Sequence, residues 1–232
     1  MTLIKSPQTH YQRLAKNMQL MKLRAGEVGN QFKALAQYPE VCIEHGFINY
    51  MIASSTVPLL EEALRCAKLL PDDIVCQQLT GYLRRHIAEE TDHDTWFLDD
   101  LEAFGLAKED IKRRMPPPNM AAMVGSQYYW IRHHHPVSIL GYLACLEINH
   151  PTVEYVESLI NSSNLPAKGF DTFMEHAKLD VHHKNDIIDM INNLPLTEEL
   201  YQMIEMSAFQ TYRYVALVME DVCRVAPIEK SA

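Results

Sequence analysis

The chain has 232 residues, of which 47% are hydrophobic and 22% charged, with a formal net charge of −9. That length suits one domain with a large buried core, and the composition is that of a globular protein. The acidic balance, with no basic cluster beyond Arg84-Arg85 and Lys112-Arg113-Arg114, excludes a nucleic-acid partner, whose phosphates demand clustered Lys and Arg. No apolar run approaches membrane-spanning length, so no membrane partner is expected. Five cysteines (Cys42, Cys66, Cys76, Cys145, Cys223) are scattered without a CxxC, which suits a reducing compartment rather than a disulfide framework. MTLIKSPQTHYQRL has no signal-peptide core, and a cytoplasmic location is the expectation.

The predicted elements are all helical. Only 8 glycines occur and no Asn-Gly or Asp-Gly turn joins alternating strands, while prolines 39, 58, 71, 136, 151, 166 and 195 punctuate the chain near plausible helix starts. Helices are predicted over 8–25, 27–37, 40–54, 57–70, 73–103, 119–134, 137–149, 152–163, 168–193 and 197–224. GLAKEDIKRRMPPPNM, 105–120, reads as a loop or short-helix insertion. No repeat, low-complexity tract or linker divides the sequence. A single all-α domain over 1–232 is expected, with N-terminal helices in 1–39, a helical bundle in 40–224 and a tail in 225–232.

Three of these helices carry polar groups on apolar stripes. In LRRHIAEETDHDTWFLDDL, Glu90 falls in line with Leu83, Ile87, Asp94, Phe97 and Leu101, flanked by His86 and His93. Glu90 and His93 have the Glu-x-x-His spacing that sets a carboxylate beside an imidazole. In HPVSILGYLACLEINHP, Glu147 shares a stripe with Leu140, Leu143 and Ala144, and a buried carboxylate is costly unless paired or metal-bound. In HAKLDVHHKND, His176, Asp180 and His183 project within an arc of about 60° at about 100° per residue, beside Phe173, Leu179 and Ile187. Each signal has a bland reading: a chance spacing, a buried acid satisfied by Arg or Tyr, or an exposed polar face. Together they form a hard nitrogen-and-oxygen ligand set suited to iron or manganese, without a thiolate. Acids gathered in a low-dielectric core repel one another unless cations are present.

These residues resemble the heme-oxygenase-like di-iron oxidases, the group of CADD-like and iron-containing redox proteins related to the thiaminase-like (TenA) and PqqC-like folds. The resemblance rests on Glu90 and His93 in HIAEETDHDTWFLDDLEAFG, Glu147 in HPVSILGYLACLE, and His176, Asp180 and His183 in HAKLDVHH. It implies an up-and-down bundle of about seven core helices holding two irons (manganese being the alternative ion), with those six residues as ligands. His86 and Glu89 are substitutes for the first acid, and Glu61 or Glu62 is a candidate carboxylate from an earlier helix. The implied activity is dioxygen-dependent oxidation of a small organic substrate: an amine, an amino acid, a fatty acid or a cofactor precursor.

Tyr142, Phe173 and Met174 are candidate pocket walls, together with Tyr128, Tyr129 and Trp130. The run His133-His134-His135 reads as a polar helix end, because adjacent helical residues splay about 100° apart. Other readings stay open. A metal-free thiaminase-like hydrolase or small-cofactor-binding protein would need a cysteine nucleophile, and Cys145 alone lies near the site. A heme oxygenase would need a proximal histidine, for which His10 is available. A non-catalytic interaction protein is the third class. The last helix, with Met203, Met206, Phe209, Tyr212, Leu217 and Val218, is apolar over much of its circumference, so it caps the core or makes a homodimer contact.

Overall fold

The computed structural model describes residues 8–149 and 151–227, with the side chains of 179–182, Asp180 among them, outside the described residues. Every regular element within that span is helical: α1 (His10–Asn17), α2 (Gln19–Leu35), α3 (Pro39–Lys68), α4 (Ile74–Glu90), α5 (His93–Ala103), α6 (Lys108–Arg113), α7 (Pro118–His133), α8 (Ile139–Ile148), α9 (Val153–Ser163), α10 (Asp171–Asn193) and α11 (Glu198–Cys223). Short 3₁₀ turns at Pro136–Ser138 and Ala167–Phe170 lead into α8 and α10. No helix among the described residues is long and apolar enough to cross a membrane.

Local chemistry sets most of the boundaries. Thr9 caps α1 through a capping box with Gln12, Asp73 caps α4 at the Cys76 N–H, and Thr152 and Thr197 cap α9 and α11. Each side-chain oxygen takes one of the backbone donors that a helix start leaves unpaired. The insertion at 105–120 contains the one-and-a-half-turn α6.

Three expected boundaries moved. The helices predicted over 40–54 and 57–70 are one helix, α3, with Pro58 inside it. Just before the proline, Ser55 and Thr56 donate their hydroxyls to the carbonyls of Met51 and Ile52 at 2.7 and 3.0 Å, side-chain bonds that tie the helix across the turn where the pyrrolidine removes a backbone donor. The first break falls at Met18, not near residue 26. The helix predicted over 73–103 is two, α4 and α5, parted at Thr91-Asp92, where Asp92 adopts φ 74°. Aspartate is among the few non-glycine residues that tolerate this left-handed conformation.

The bundle is built from α3, α4, α5, α7, α8, α10 and α11. α3 packs on α4, α5 and α7, α11 packs on α8, α2 and α7, and α10 packs on α8, α9 and α5. α8 runs through the middle, every residue from Ile139 to Cys145 buried. It is apolar all round, as a fully enclosed helix must be. α11 turns its Tyr201, Ile204, Ala208, Tyr212 and Val218 inward, while Met206 and Phe209 face out at 47% and 41% exposure. Its apolar character is therefore used mainly within the chain.

A buried carboxylate ties α5 to α10. Asp100 accepts a hydrogen bond from the Thr172 N–H at 3.0 Å, capping α10 from a neighbouring helix. Burial raises its pKa to about 7, against the pull of the Thr172 hydroxyl and N–H. The folded state thus binds this proton more tightly than the unfolded chain does. The stability Asp100 contributes is complete below the ordinary carboxylate range and is lost as pH rises through about 7. In Asp100→Asn the amide oxygen keeps the cap and removes the titration. Metal-free wild-type protein should lose urea resistance between pH 5 and pH 8 by an increment that the variant does not lose. Equal losses in the two proteins would refute this role.

Candidate metal centre

Four helices converge where α4 gives way to α5. Glu90 is the last residue of α4 and His93 the first of α5, so the Glu-x-x-His pair does not sit on one continuous helix as its spacing suggested. The left-handed step at Asp92 re-aims the chain, and His93 Nδ1 still lies 3.2 Å from Glu90 Oε2. The other Glu90 oxygen, Oε1, lies 3.7 Å from His183 Nδ1 on α10. His183 Nδ1 is also 3.4 Å from Glu147 Oε2 on α8. Glu147 Oε1 is 3.6 Å from His86 Nε2 on α4. His176 stands edge-on to His93 with ring centroids 4.9 Å apart, and His86 edge-on to His183 at 5.4 Å.

Glu90 therefore occupies the middle, one oxygen toward His93 and the other toward His183. On the first side are His93 and His176; on the second are His86, His183 and Glu147. His86, Glu90 and Glu147 each bring a ligand atom within 4.8 Å of the others. His86, Glu90, His93 and His183 are buried.

The donor set fits metal ions. Among the described residues, the buried Nε2 of His86 and Nδ1 of His93 make no hydrogen bond, although each faces a carboxylate at 3.6 and 3.2 Å. Metal–ligand bonds of about 2.1 Å set neighbouring donor atoms about 3 to 3.6 Å apart, as here. Burial would raise the Glu147 pKa, but the His183 and His86 imidazoles beside it outweigh burial and hold it well below the carboxylate range. His86 moves the other way: burial lowers it, and Glu147 and Glu90 more than reverse that. The site thus keeps Glu147 anionic, the form a cation needs.

Glu89 has a different place. It is exposed, with Oε2 3.6 Å from His86 Nδ1 and 3.8 Å from His183 Nε2, the ring nitrogens turned away from the centre. A carboxylate there favours N–H at those two atoms and leaves the opposite nitrogens as lone pairs facing inward. Tyr82 stacks on His86 at 5.4 Å and backs the ring.

Among the sequence candidates, Glu90, His93, Glu147, His176 and His183 come together. His86 joins them alongside Glu90 rather than in its stead. The signal was present, since His86 and Glu90 are four residues apart and share a helix face. The Asp180 side chain lies outside the described residues. Glu61 is exposed and Glu62 is bound by Arg65 and Arg132 at 2.7 Å each, so the earlier-helix carboxylate takes no part.

A second cluster, Asp73, Cys76 and His135, also gathers within 4.8 Å. It corrects the reading of His135 as part of a merely polar helix end, for the side chain is buried. Its Nδ1 accepts the Val137 N–H at 3.1 Å, which places the ring proton on Nε2, 3.4 Å from both Cys76 Sγ and Asp73 Oδ2. A metal at Nε2 would force that proton onto Nδ1, against the Val137 N–H. This cluster is a hydrogen-bonded tie at the start of α4.

A cavity of about 750 Å³ adjoins the centre, reaching Glu90, Glu147 and His176. Phe173 and Phe97 border it, as do His45, Cys145 and the α2 residues Lys22, Gly26, Gly29 and Lys33. His45 lies between the rings of Phe32 and Phe173, at 4.5 and 5.1 Å, and burial lowers its pKa to about 4. Of the other expected walls, Tyr142 is wholly buried in the core and Met174 packs half-buried against it. Tyr129 is exposed, and Trp130 donates its indole N–H to Gln210 at 2.6 Å. None of these, nor Tyr128, borders the cavity. The polar lining from α2 and α3 carried no motif and was not foreseen.

Comparison with known proteins follows this geometry. A domain of unknown function with a heme oxygenase-like fold from Shewanella denitrificans OS217 superposes with TM-score 0.76 at 18% identity, over 91% of this chain and 92% of that one. A TenA homolog from Pseudomonas syringae pv. tomato str. DC3000 gives TM-score 0.72 at 13% identity, over 93% of each chain. A CADD-like protein of unknown function from Nostoc punctiforme PCC 73102 gives 0.58 at 16%, over 88% of this chain and 99% of that one. No curated protein matches the chain. These likenesses establish the heme oxygenase-like fold. The family model described as iron-containing redox enzyme matches residues 65–215, the span that holds every residue of the centre, and the chain belongs to that family.

Proposed function

We propose that the protein is a non-heme iron oxidoreductase that holds two metal ions between α4, α5, α8 and α10 and uses dioxygen to oxidise a small organic substrate in the adjoining cavity. The observation that carries this reading is the position of Glu90, which faces His93 through Oε2 and His183 through Oε1. Glu90 would then serve both ions, with His93 and His176 holding one and His86, Glu147 and His183 the other, in each case with nitrogen and oxygen donors; Asp180 is the sixth ligand that the resemblance implies. With nitrogen and oxygen donors only, iron is the ion of choice and manganese the alternative.

Bound ferrous iron supplies the redox chemistry that lets dioxygen react with an organic molecule. The chain's own groups do the rest. Glu89 fixes the inward-facing lone pairs of His86 and His183. Phe97 and Phe173 wall the cavity beside His176 and exclude water from the reacting face. His45, neutral at physiological pH because burial holds it down at about 4, offers the cavity an uncharged hydrogen-bonding group.

The TenA homolog keeps a second reading in view, a metal-free hydrolase. Cys145 does border the cavity, but burial pushes its thiol far up and away from the thiolate, which disfavours it as a nucleophile.

The test is to load metal-free protein with ferrous iron under argon, count iron per chain, and then follow dioxygen uptake at an electrode. Close to two irons per chain and uptake of dioxygen in proportion to iron are expected. A folded protein that takes up no iron would end this reading.

A further inference from the structure

α11 keeps one stripe outside the core. Glu199, Gln202, Met206, Phe209 and Arg213 are exposed along it, with Met206 and Phe209 at 47% and 41%. Seven residues make two helical turns less about 20°, so Glu199, Met206 and Arg213 stand almost in a straight line. α7 widens this face. Trp130 donates its indole N–H to Gln210 at 2.6 Å, and the exposed Tyr129 ring lies against those of Trp130 and His133 at 5.5 and 5.0 Å. Apolar side chains grouped at the surface in this way mark an interaction site, where single scattered ones do not.

The charges along α11 divide into two sets. Glu198, Glu205 and Glu220 turn to the N-terminal helices, where they meet Arg13, Asn17 and Arg24. Glu199 and Arg213 face outward, and among the described residues neither joins an ion pair. They stand seven residues to either side of Met206 and carry opposite signs. A surface whose two lone charges are complementary and equidistant from an apolar midpoint fits a second copy of itself. With two α11 helices antiparallel about a two-fold axis at that midpoint, each Glu199 faces the other chain's Arg213. Met206 then meets Met206, Phe209 meets Met203, and Gln202 meets Gln210, the reciprocal pattern that a two-fold contact requires. The net charge of −9 on each chain does not forbid this, because salt screens distant charges beyond about 8 Å and the seam itself is balanced.

We infer that the outer stripe of α11, with the adjoining edge of α7, is the interface of a homodimer, the two α11 helices antiparallel across an axis at Met206 and Glu199 paired reciprocally with Arg213. The inference stands apart from the proposed function. α8, which carries Glu147, packs on the inner side of α11, so pairing through the outer stripe leaves each candidate metal centre within its own chain.

The test is sedimentation velocity on the full chain at micromolar concentration, where the wild type is expected to run as a dimer. Glu199→Arg or Arg213→Glu alone sets like charges opposite each other twice per dimer, and each should weaken self-association about tenfold or more. Mixing those two variants should restore the dimer, because one chain then offers two acids to the two arginines of the other. Both reversals in one chain should restore it as well. That recovery also shows that the variants are folded. Met206→Glu places two like charges on the axis and should abolish the dimer, while Met115→Glu, at a methionine 84% exposed elsewhere on the surface, should change nothing. A monomeric wild type would overturn the inference and leave the stripe to a different protein. So would a dimer indifferent to Met206→Glu, or single reversals that mixing does not rescue.

Discussion

In a Glu90→Ala variant, iron binding should fall from two ions per chain to one or none, and dioxygen uptake should fall with it. Glu90 is the only described carboxylate that faces both halves of the centre, His93 at 3.2 Å and His183 at 3.7 Å. Losing it would take a ligand from each proposed ion and leave Glu147 as the sole described acid facing the centre. Atomic emission on protein loaded anaerobically measures the result. The apo protein should stay folded, because deleting one of several crowded acids relieves repulsion as well as losing contacts with His93 and His183. A variant that still held two irons would remove Glu90 from the bridging position. Glu89→Gln is the informative partner. It keeps the side-chain shape but weakens the hold on the outer nitrogens of His86 and His183, so iron should still bind, about 10- to 100-fold less tightly, the range found when a partner behind a metal-bound histidine is lost.

The largest expected effect on stability lies far from the acids. Gly141→Ala should destabilise the fold by about 3 kcal/mol, lowering the thermal midpoint by about 6–12 °C for a domain of this size. At Gly141, α8 and α11 cross so closely that an added Cβ would lie 2.1 Å from Ile204 O and 2.6 Å from Ala208 N. Both are backbone atoms of a long, well-packed helix, so neither can swing aside as a side chain would. The helices must separate, and α8 carries Glu147. Iron affinity should therefore weaken along with stability, a pairing that distinguishes this variant from a surface change. Differential scanning calorimetry of the metal-free protein gives the first quantity, and competition with a chromogenic chelator the second. An unchanged midpoint would mean that α8 and α11 do not meet so closely.

How far the sequence alone reaches can be judged at particular residues. Spacing picked out Glu90, His93, Glu147, His176 and His183, because helical periodicity puts a polar group among apolar neighbours wherever it faces a core. Helix starts were read from proline punctuation, and the caps Asp73, Thr152 and Thr197, though equally local chemistry, entered only with the structure. The all-α class followed from proline punctuation and the scarcity of turn signals. A resemblance carried by those same motifs supplied the expected fold.

What the sequence could not decide depends on groups distant in the chain. Pro58 reads as a helix start by local rules, and only in the folded chain is α3 continuous through it, packed on α4, α5 and α7 and back-bonded by Ser55 and Thr56. Thr91-Asp92 holds no glycine or proline, so the break that turns His93 toward Glu90 left no mark in the pattern. His86 could be read as a substitute for Glu90 or as its neighbour in the site, and the packing of α8 and α10 onto α4 decided for the neighbour. Lys22 and Gly29 are unremarkable in a linear reading; their setting arises only when α2 closes over a cavity whose far wall comes from α8 and α11. Helical periodicity is a property of near neighbours and is written residue by residue. The depth of a cavity, the partner of a carboxylate and the gap between two crossing helices are set by distances between segments that meet only in three dimensions.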